Sequence, residues 1–115
     1  MSARHKSTAE EPPRQSAVVF AALGDETRLL LISRLCNDGP LSITRLTHGT
    51  DVTRQAITKH LQVMQEAGLV RNARSGRERI WQLEQRRLRQ ARYYLDLISK
   101  QWDDALERLQ KFVEE

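Results

Sequence analysis

The spacing of apolar residues predicts helices over most of the chain. A short helix stops at Gly24, and a second one follows Asp25, whose carboxylate suits an N-cap because it accepts hydrogen bonds from the first free amides. The apolar face of the first helix comprises Val18, Val19, Ala22 and Leu23. In the second helix we expect four buried side chains, Leu29, Leu30, Ile32 and Leu35. The pair Gly39-Pro40 ends it.

Two further helices are predicted between residues 42 and 67, each preceded by a hydroxyl residue. Ser42 caps the shorter helix and Thr53 the longer one. The longer helix has a core face made of Ile57, Leu61 and Met64. Its opposite face is polar and comprises Gln55, Thr58, Lys59 and Gln62. Gly68 then suits the left-handed conformation that ends a helix, and Leu69 returns to the core.

The rest of the chain predicts a hairpin and then one long helix. Two short arms within residues 70–83 surround Ser75-Gly76, a turn pair, and Ile80-Trp81 favours a strand. Apolar residues then alternate spacings of three and four, which predicts a single amphipathic helix. Its stripe comprises Leu88, Ala91, Leu95, Ile98, Trp102, Ala105, Leu109 and Phe112.

Two short helices joined by a tight turn and followed by a hairpin have the order of a winged helix-turn-helix. The predicted fold is mainly α with a small β-hairpin wing. The chain divides into a disordered arm at 1–14, the winged helix-turn-helix domain at 15–84 and a long C-terminal helix at 85–115. The arm is predicted because its charged, Ser, Thr and Pro residues offer too little apolar surface to fold.

Positive charge is concentrated in one segment of the chain. The formal net charge is +4, and residues 53–82 alone hold six Lys or Arg against two Glu. The stretch TRQAITKHLQVMQ, residues 53–65, contains no acidic residue. Phosphates would repel a carboxylate on its polar face, so the absence of acid favours a helix that enters the major groove of DNA.

We therefore interpret residues 53–67 as a reader helix and residues 70–83 as a wing that lies on the DNA backbone or in the minor groove. Arg54 can donate a bidentate hydrogen bond to guanine, and Gln55 or Gln62 can pair with adenine. Hydrogen bonds to phosphates or bases are possible for Thr53, Thr58 and Lys59. The wing contributes Arg74, Arg77 and Arg79. Each side chain alone suits a solvated surface, but their consecutive order indicates a sequence-specific DNA-binding protein.

Composition narrows the class of protein further. No apolar run is long enough to cross a bilayer, and the N-terminal residues lack the apolar stretch of a signal peptide, so we expect a cytoplasmic protein. A glycine-rich phosphate loop and a nucleophile in a recognisable setting are both missing from the sequence, which indicates that it is not an enzyme. Cys36 is expected to be a small buried hydrophobe.

The long last helix predicts an interface of its own. A helix of this length on so small a body leaves part of its apolar stripe exposed, at Ile98, Trp102, Leu106, Leu109 and Phe112. Two-fold pairing is the commonest way to cover such a stripe, which favours a homodimer. Four arginines gather at the start of the same helix, against the preference of the helix dipole for acid there: Arg86, Arg87, Arg89 and Arg92. They either pair with acidic neighbours in a dimer or add to the field facing DNA, and the sequence leaves this open.

The stretches DETRLLLISRLCNDGPLS, TRQAITKHLQVMQEAGLV and RSGRERIWQLE resemble the ArsR/SmtB family of bacterial winged-helix repressors. The resemblance covers about residues 16–113. It implies a dimeric repressor that binds a palindromic operator in double-stranded DNA, with an interface formed by the first and last helices. On that basis the interface is expected to comprise Val19, Leu95, Ile98, Trp102, Leu106, Leu109 and Phe112.

The residues that metal-sensing members of that family use are missing from the sequence. Such members carry a Cys-containing motif before the reader helix, or paired Asp and His ligands in the last helix. Here ITRLTHG, residues 43–49, has no cysteine, and the last helix has no histidine. Since His5, His48, His60 and Cys36 fall in separate elements, we expect neither a metal nor another cofactor. His60 better suits packing or a local hydrogen bond, and the ending from Trp102 to Val113 is similar to a metal-independent branch of the family.

Two alternative functions are left open. The protein can be an interaction module that recruits a partner through its last helix, although solubility alone would not exclude acid from the face of residues 53–65. It can also be a repressor released by an inducer, either a small molecule at the dimer interface or a protein antagonist. The sequence does not distinguish activation from repression, and it does not identify the operator.

Overall fold

The computed structural model describes residues 12–114, and this part of the chain contains five helices and a small sheet. The helices are α1 (Pro12–Leu23), α2 (Glu26–Asp38), α3 (Ile43–Thr47), α4 (Arg54–Glu66) and α5 (Gln85–Glu114). The strands are β1 (Leu41–Ser42), β2 (Val70–Ser75) and β3 (Glu78–Leu83). The architecture is the predicted winged helix-turn-helix with a long C-terminal helix.

Helix α1 begins inside the segment that was predicted to be a disordered arm. It starts at Pro12, a residue that suits the first helical turn because the N–H it lacks would have no partner there. The prediction of disorder is therefore wrong for residues 12–14, and its remainder, residues 1–11, lies outside the described residues. The helix ends at Leu23, directly before Gly24, as predicted.

The three predicted N-caps are confirmed. At each cap a side-chain oxygen accepts a hydrogen bond from the backbone N–H three residues later. The donor–acceptor distance is 3.0 Å at Asp25, 3.3 Å at Ser42 and 3.1 Å at Thr53. These local bonds set the starting points of α2, α3 and α4.

The core lies beneath α4, whose predicted apolar residues Ile57, Leu61 and Met64 have no exposed surface. They pack in one cluster with other buried residues, among them Val19, Leu31, Leu46, Leu69 and Trp81. The left-handed turn at Gly68, with φ of 81°, ends α4 and brings Leu69 back onto this cluster, as predicted.

The buried face of α2 differs from the prediction. Leu29 and Leu30 are 52% and 42% exposed, whereas Leu31 is fully buried together with Leu35. Three consecutive leucines do not specify which one faces inward, and the buried pair is separated by one helical turn of four residues. Ile32 is only partly buried against the core. Cys36 is exposed rather than buried, so that prediction is also wrong.

The sheet contains a strand that the sequence did not reveal. The two-residue β1 pairs antiparallel with β3, giving the order β1-β3-β2. The predicted hairpin is confirmed, but its turn residues are Gly76 and Arg77, because Ser75 is paired with Glu78. Gly76 has φ of 65° at the first turn position, where a two-residue hairpin loop of this kind favours glycine. Trp81, on β3, is 5% exposed and joins the core.

Helix α5 packs on the domain through its first half only. Ala91 is its single buried residue within the described part of the chain, and Leu88 is partly buried against the core. The second half extends away from the body, so the described structure measures 65 × 40 × 20 Å along its principal axes. None of the described helices is long and apolar enough to span a membrane.

Candidate nucleic-acid interface

The polar face of α4 is exposed and carries no carboxylate before Glu66 at its end. Four of the predicted reader residues border one shallow depression of about 400 Å³ on this face: Gln55, Thr58, Lys59 and Gln62. The depression therefore presents amide, hydroxyl and ammonium groups side by side. Amides can donate and accept at base edges, while the ammonium group suits a phosphate.

Thr53, the N-cap of α4, and Thr58 within α4 both use part of their hydrogen-bonding capacity on the backbone. The Thr53 hydroxyl accepts from the Ala56 N–H as the N-cap, so its own proton is free for an outside acceptor. The Thr58 hydroxyl donates to the Arg54 carbonyl oxygen at 2.9 Å, which leaves only acceptor capacity and a methyl group for a ligand. Thr53 thus suits a phosphate or base acceptor, and Thr58 suits a base donor or an apolar contact.

Arg54 lies apart from the other predicted readers. Its guanidinium donates a hydrogen bond of 3.3 Å to Thr44 Oγ1 on α3. There it borders a cleft of about 210 Å³ between α3 and the hairpin, and the three predicted wing arginines, Arg74, Arg77 and Arg79, border the same cleft. The structure therefore places four of the nine predicted DNA-binding residues at the α4 depression and four at this cleft, with Thr53, the N-cap of α4, as the ninth.

A chain of side-chain hydrogen bonds ties the hairpin to α4. Arg79 donates to Asn72 Oδ1 at 2.7 Å, and Asn72 Nδ2 donates to Gln65 Oε1 at 3.2 Å. Sequence reasoning missed Asn72 and Gln65 in this role. Asn72 pairs in register with the buried Trp81, so strand alternation was the available signal that its side chain faces the helices.

The turn between α3 and α4 is held by an arginine of α2. The Arg34 guanidinium donates to the Leu46 carbonyl oxygen at 2.8 Å and to the His48 carbonyl oxygen at 2.6 Å. The Leu46 carbonyl lies in the last turn of α3 and the His48 carbonyl at its C-cap, where backbone acceptors lack helical partners. Arg34 thus stabilises the turn that connects α3 to α4. No local sequence pattern had indicated this role.

Packing or a local hydrogen bond was expected for His60, and the structure shows a hydrogen bond to Arg28, 32 residues earlier in the chain. Its Nδ1 lies 3.0 Å from the Arg28 guanidinium nitrogen and 3.9 Å from the Asp25 carboxylate. The hydrogen bond from the backbone N–H of Arg28 lowers the pKa of the Asp25 carboxyl, the charge of the Arg28 side chain adds to this, and partial desolvation opposes it. His60 therefore belongs to the junction between α2 and α4. In residues 12–114 no three His, Cys, Asp or Glu side chains gather as metal ligands.

The predicted dimer residues separate into one buried residue and an exposed stripe. Val19 has no exposed surface, so its side chain belongs to the core and is not available to a partner, which corrects that assignment. The six predicted dimer residues on α5 are 40–77% exposed: Leu95, Ile98, Trp102, Leu106, Leu109 and Phe112. We call these six residues the α5 stripe.

Two of the four arginines at the start of α5 have contacts within the chain. The aliphatic part of Arg87 packs against Gly68, and Arg89 donates to Gln85 Oε1 at 2.9 Å. None of the four lies within 4.0 Å of a carboxylate that the structure describes. Packing of the arginine stem against the end of α4 accounts for Arg87 at this position.

Comparison with known proteins identifies relatives over the same elements. A helix-turn-helix domain model matches residues 23–72. The HTH-type transcriptional regulator Rv2034 of Mycobacterium tuberculosis is 35% identical over 100 residues, covering 87% of this chain and 86% of the relative. The HTH-type transcriptional regulator YuzN of Bacillus subtilis, described as uncharacterized, is 41% identical over 68 residues, covering 54% of this chain and 74% of the relative.

A solved structure is similar to the chain in both fold and sequence. It is an ArsR-like transcriptional regulator from Rhodococcus sp. RHA1, which superposes with a TM-score of 0.73 at 34% identity. The superposition covers 86% of this chain and 92% of that one. These relatives are regulators rather than enzymes.

Proposed function

The chain belongs to the ArsR/SmtB family of DNA-binding helix-turn-helix transcriptional regulators, and we propose that it is a homodimeric repressor of a palindromic operator. In this proposal α4 enters the major groove, and the hairpin formed by β2 and β3 contacts the adjacent backbone or minor groove. A dimer would place its two half-sites about one helical turn, roughly 10 base pairs, apart.

The observation that carries the proposal is the exposed, acid-free face of α4 beside an arginine-rich hairpin. Gln55, Lys59 and Gln62 are exposed on this face, and Arg77 is exposed at the hairpin turn. Amides can read base edges, whereas guanidinium and ammonium groups bind phosphates without regard to sequence. This division supports Gln55 as a base-reading residue and Arg77 as a backbone contact.

The α5 stripe supports the homodimer. Six large apolar side chains are exposed along a single helix, with Trp102 at 64% and Phe112 at 77%. A contiguous apolar surface of this kind is unfavourable in water, and a two-fold partner covers it with an identical stripe. The proposal therefore commits to a second copy of this chain on α5.

The experiment is selection of bound duplexes from a random DNA pool, followed by titration of the selected site by fluorescence anisotropy at several salt concentrations. We expect binding to weaken steeply with salt because cations are released from the phosphates. Arg77→Ala should weaken all sequences alike, whereas Gln55→Ala should change which sequence is preferred. Salt-insensitive binding, or binding that both substitutions leave unchanged, contradicts the proposal.

Repression is tested separately, by transcription in vitro from a promoter that contains the selected site. The proposal predicts fewer transcripts as the protein is added, because a dimer on the operator excludes the polymerase. Lys111→Gln, an exposed change at the far end of α5, serves as the control variant and should repress like the wild type. An increase in transcripts would assign activation instead.

A further inference from the structure

The cleft that Arg54 borders contains an unusual concentration of like charge. Arg54 enters it from the start of α4, and Arg74, Arg77 and Arg79 enter it from the hairpin. Arg74 and Arg79 are directly opposite each other on β2 and β3, an arrangement that destabilises a hairpin because like charges repel. The hairpin therefore carries a cost that a bound anion would remove.

The carboxylates that the structure describes do not neutralise this cleft. No described carboxylate oxygen lies within 4.0 Å of a guanidinium nitrogen of Arg54, Arg74, Arg77 or Arg79. The one carboxylate that borders the cleft is Glu78, which pairs in register with Ser75 at the hairpin tip. Arg54 instead donates to the neutral Thr44 hydroxyl, and Arg79 to the neutral Asn72 amide. The cleft thus retains several guanidinium donors and a net positive charge.

The position of the cleft identifies the anion. One sugar-phosphate strand always separates the major groove of a duplex from the neighbouring minor groove. A protein that places α4 in the major groove and a hairpin beyond it must hold that strand between the two elements. The cleft lies between the start of α4, α3 and the hairpin, on the path that this strand would follow.

We propose that the cleft binds one phosphodiester of this strand, with Arg54 and Arg74 as its charged donors and the Thr44 hydroxyl as a third donor. The inference rests on the proposed function, since it takes α4 as the reader helix. It assigns Arg54 to the backbone rather than to guanine and adds Thr44, which the sequence had not suggested. Base reading then falls to the α4 depression that Gln55 and Gln62 border.

The test is a double comparison on the selected duplex, in which single phosphates are replaced by uncharged methylphosphonates. For the wild type, one replacement per half-site should reduce affinity by on the order of 10-fold, because the charge-assisted hydrogen bonds to that phosphate are lost. Arg54→Ala should bind the unmodified duplex more weakly by a similar factor. The same variant should be insensitive to the replacement at that phosphate.

Base substitutions in the duplex provide the second arm. Arg54→Ala should keep the base preference of the wild type, and Thr44→Val should show a smaller loss at the same phosphate. Lys59→Ala is the matched control, since it removes a positive charge from α4 outside the cleft and should remain sensitive to that replacement. Thermal melting of each variant verifies folding.

Two results would overturn the inference while leaving the proposed function intact. Wild-type binding with no sensitive phosphate at the cleft shows that the backbone does not pass there. A changed preference for guanine in Arg54→Ala shows that Arg54 reads a base. Failure of the wild type to bind any selected duplex, in contrast, rejects the proposed function itself.

Discussion

The guanidinium of Arg28 donates a hydrogen bond of 3.0 Å to Nδ1 of His60, which joins the start of α2 to the middle of α4. A guanidinium has donors only, so His60 accepts through Nδ1 and carries its proton on Nε2. The same arginine donates through Nε to the Ala22 carbonyl oxygen in α1. One side chain therefore joins three helices beneath the proposed reading face.

His60→Ala should destabilise the fold by about 1–3 kcal/mol, because it removes the acceptor of a charged donor that is partly buried. Urea unfolding followed by circular dichroism measures this free energy. Lys59→Ala, the exposed neighbour on α4, should change it by less than about 0.5 kcal/mol. Equal effects of the two substitutions would show that the Arg28–His60 bond does not contribute to stability.

Acid should weaken the fold partly through the N-cap of α2. The pKa of Asp25 is lowered in the folded state, so its contribution is fully present above the ordinary pKa of an aspartate. That contribution is lost as the pH falls through the lower, folded-state value. Asp25→Asn, which keeps a capping oxygen without a titrating group, should melt close to the wild type at neutral pH and lose less stability in acid. If the melting temperatures of the two proteins differ by the same amount at every pH, Asp25 does not have this role.

Gly68→Ala should destabilise the fold more than Gly39→Ala does. Gly68 has φ of 81°, a backbone conformation that costs a residue with a Cβ about 1–2 kcal/mol. The added Cβ would also lie 2.7 Å from Arg87 Cγ, which adds a steric clash. Gly39 has φ of 79° and nothing within 4 Å of an added Cβ, which makes Gly39→Ala the control for the backbone cost alone. Chemical unfolding of both variants, repeated with Arg87→Ala, separates the two contributions. If Arg87→Ala leaves the difference unchanged, the Arg87 contact is not its cause.

Leu109→Glu should weaken the proposed homodimer by on the order of 10- to 100-fold in dissociation constant, since two-fold symmetry introduces the charge into the interface twice. Sedimentation equilibrium measures the constant. Lys111→Gln changes the net charge by the same amount on an exposed position two residues away, and should leave the dimer intact. A wild type that sediments as a monomer at high concentration would reject the interface altogether.

The features that sequence predicted correctly are those set by neighbouring residues. The caps at Asp25, Ser42 and Thr53 depend on an oxygen and an amide three residues apart, so the local pattern contains both partners. The apolar face of α4 was likewise predictable because its polar and apolar residues alternate with one clear helical period. The polar face was exposed for the same reason.

The errors arise where distant parts of the chain decide the outcome. The buried leucine of α2 is chosen by packing against other helices, which a run of three leucines does not encode. Strand β1 exists because its two residues pair with Trp81 and Ile80 about forty residues later. Arg54 was interpreted by its chemistry alone, and only the fold reveals that it lies near three arginines of the hairpin.

Ser42 is the last residue of β1 and also the N-cap of α3, so a single residue connects the sheet to the helix-turn-helix. Its backbone pairs with Ile80, and its hydroxyl accepts from the Arg45 N–H. We therefore expect the spacing between the hairpin and the helix-turn-helix to be set mainly by the fold. We expect such a protein to select operators by groove width as well as by base edges. An A-tract beneath the hairpin, which narrows the minor groove, should change affinity in anisotropy titrations even where every base facing α4 is kept.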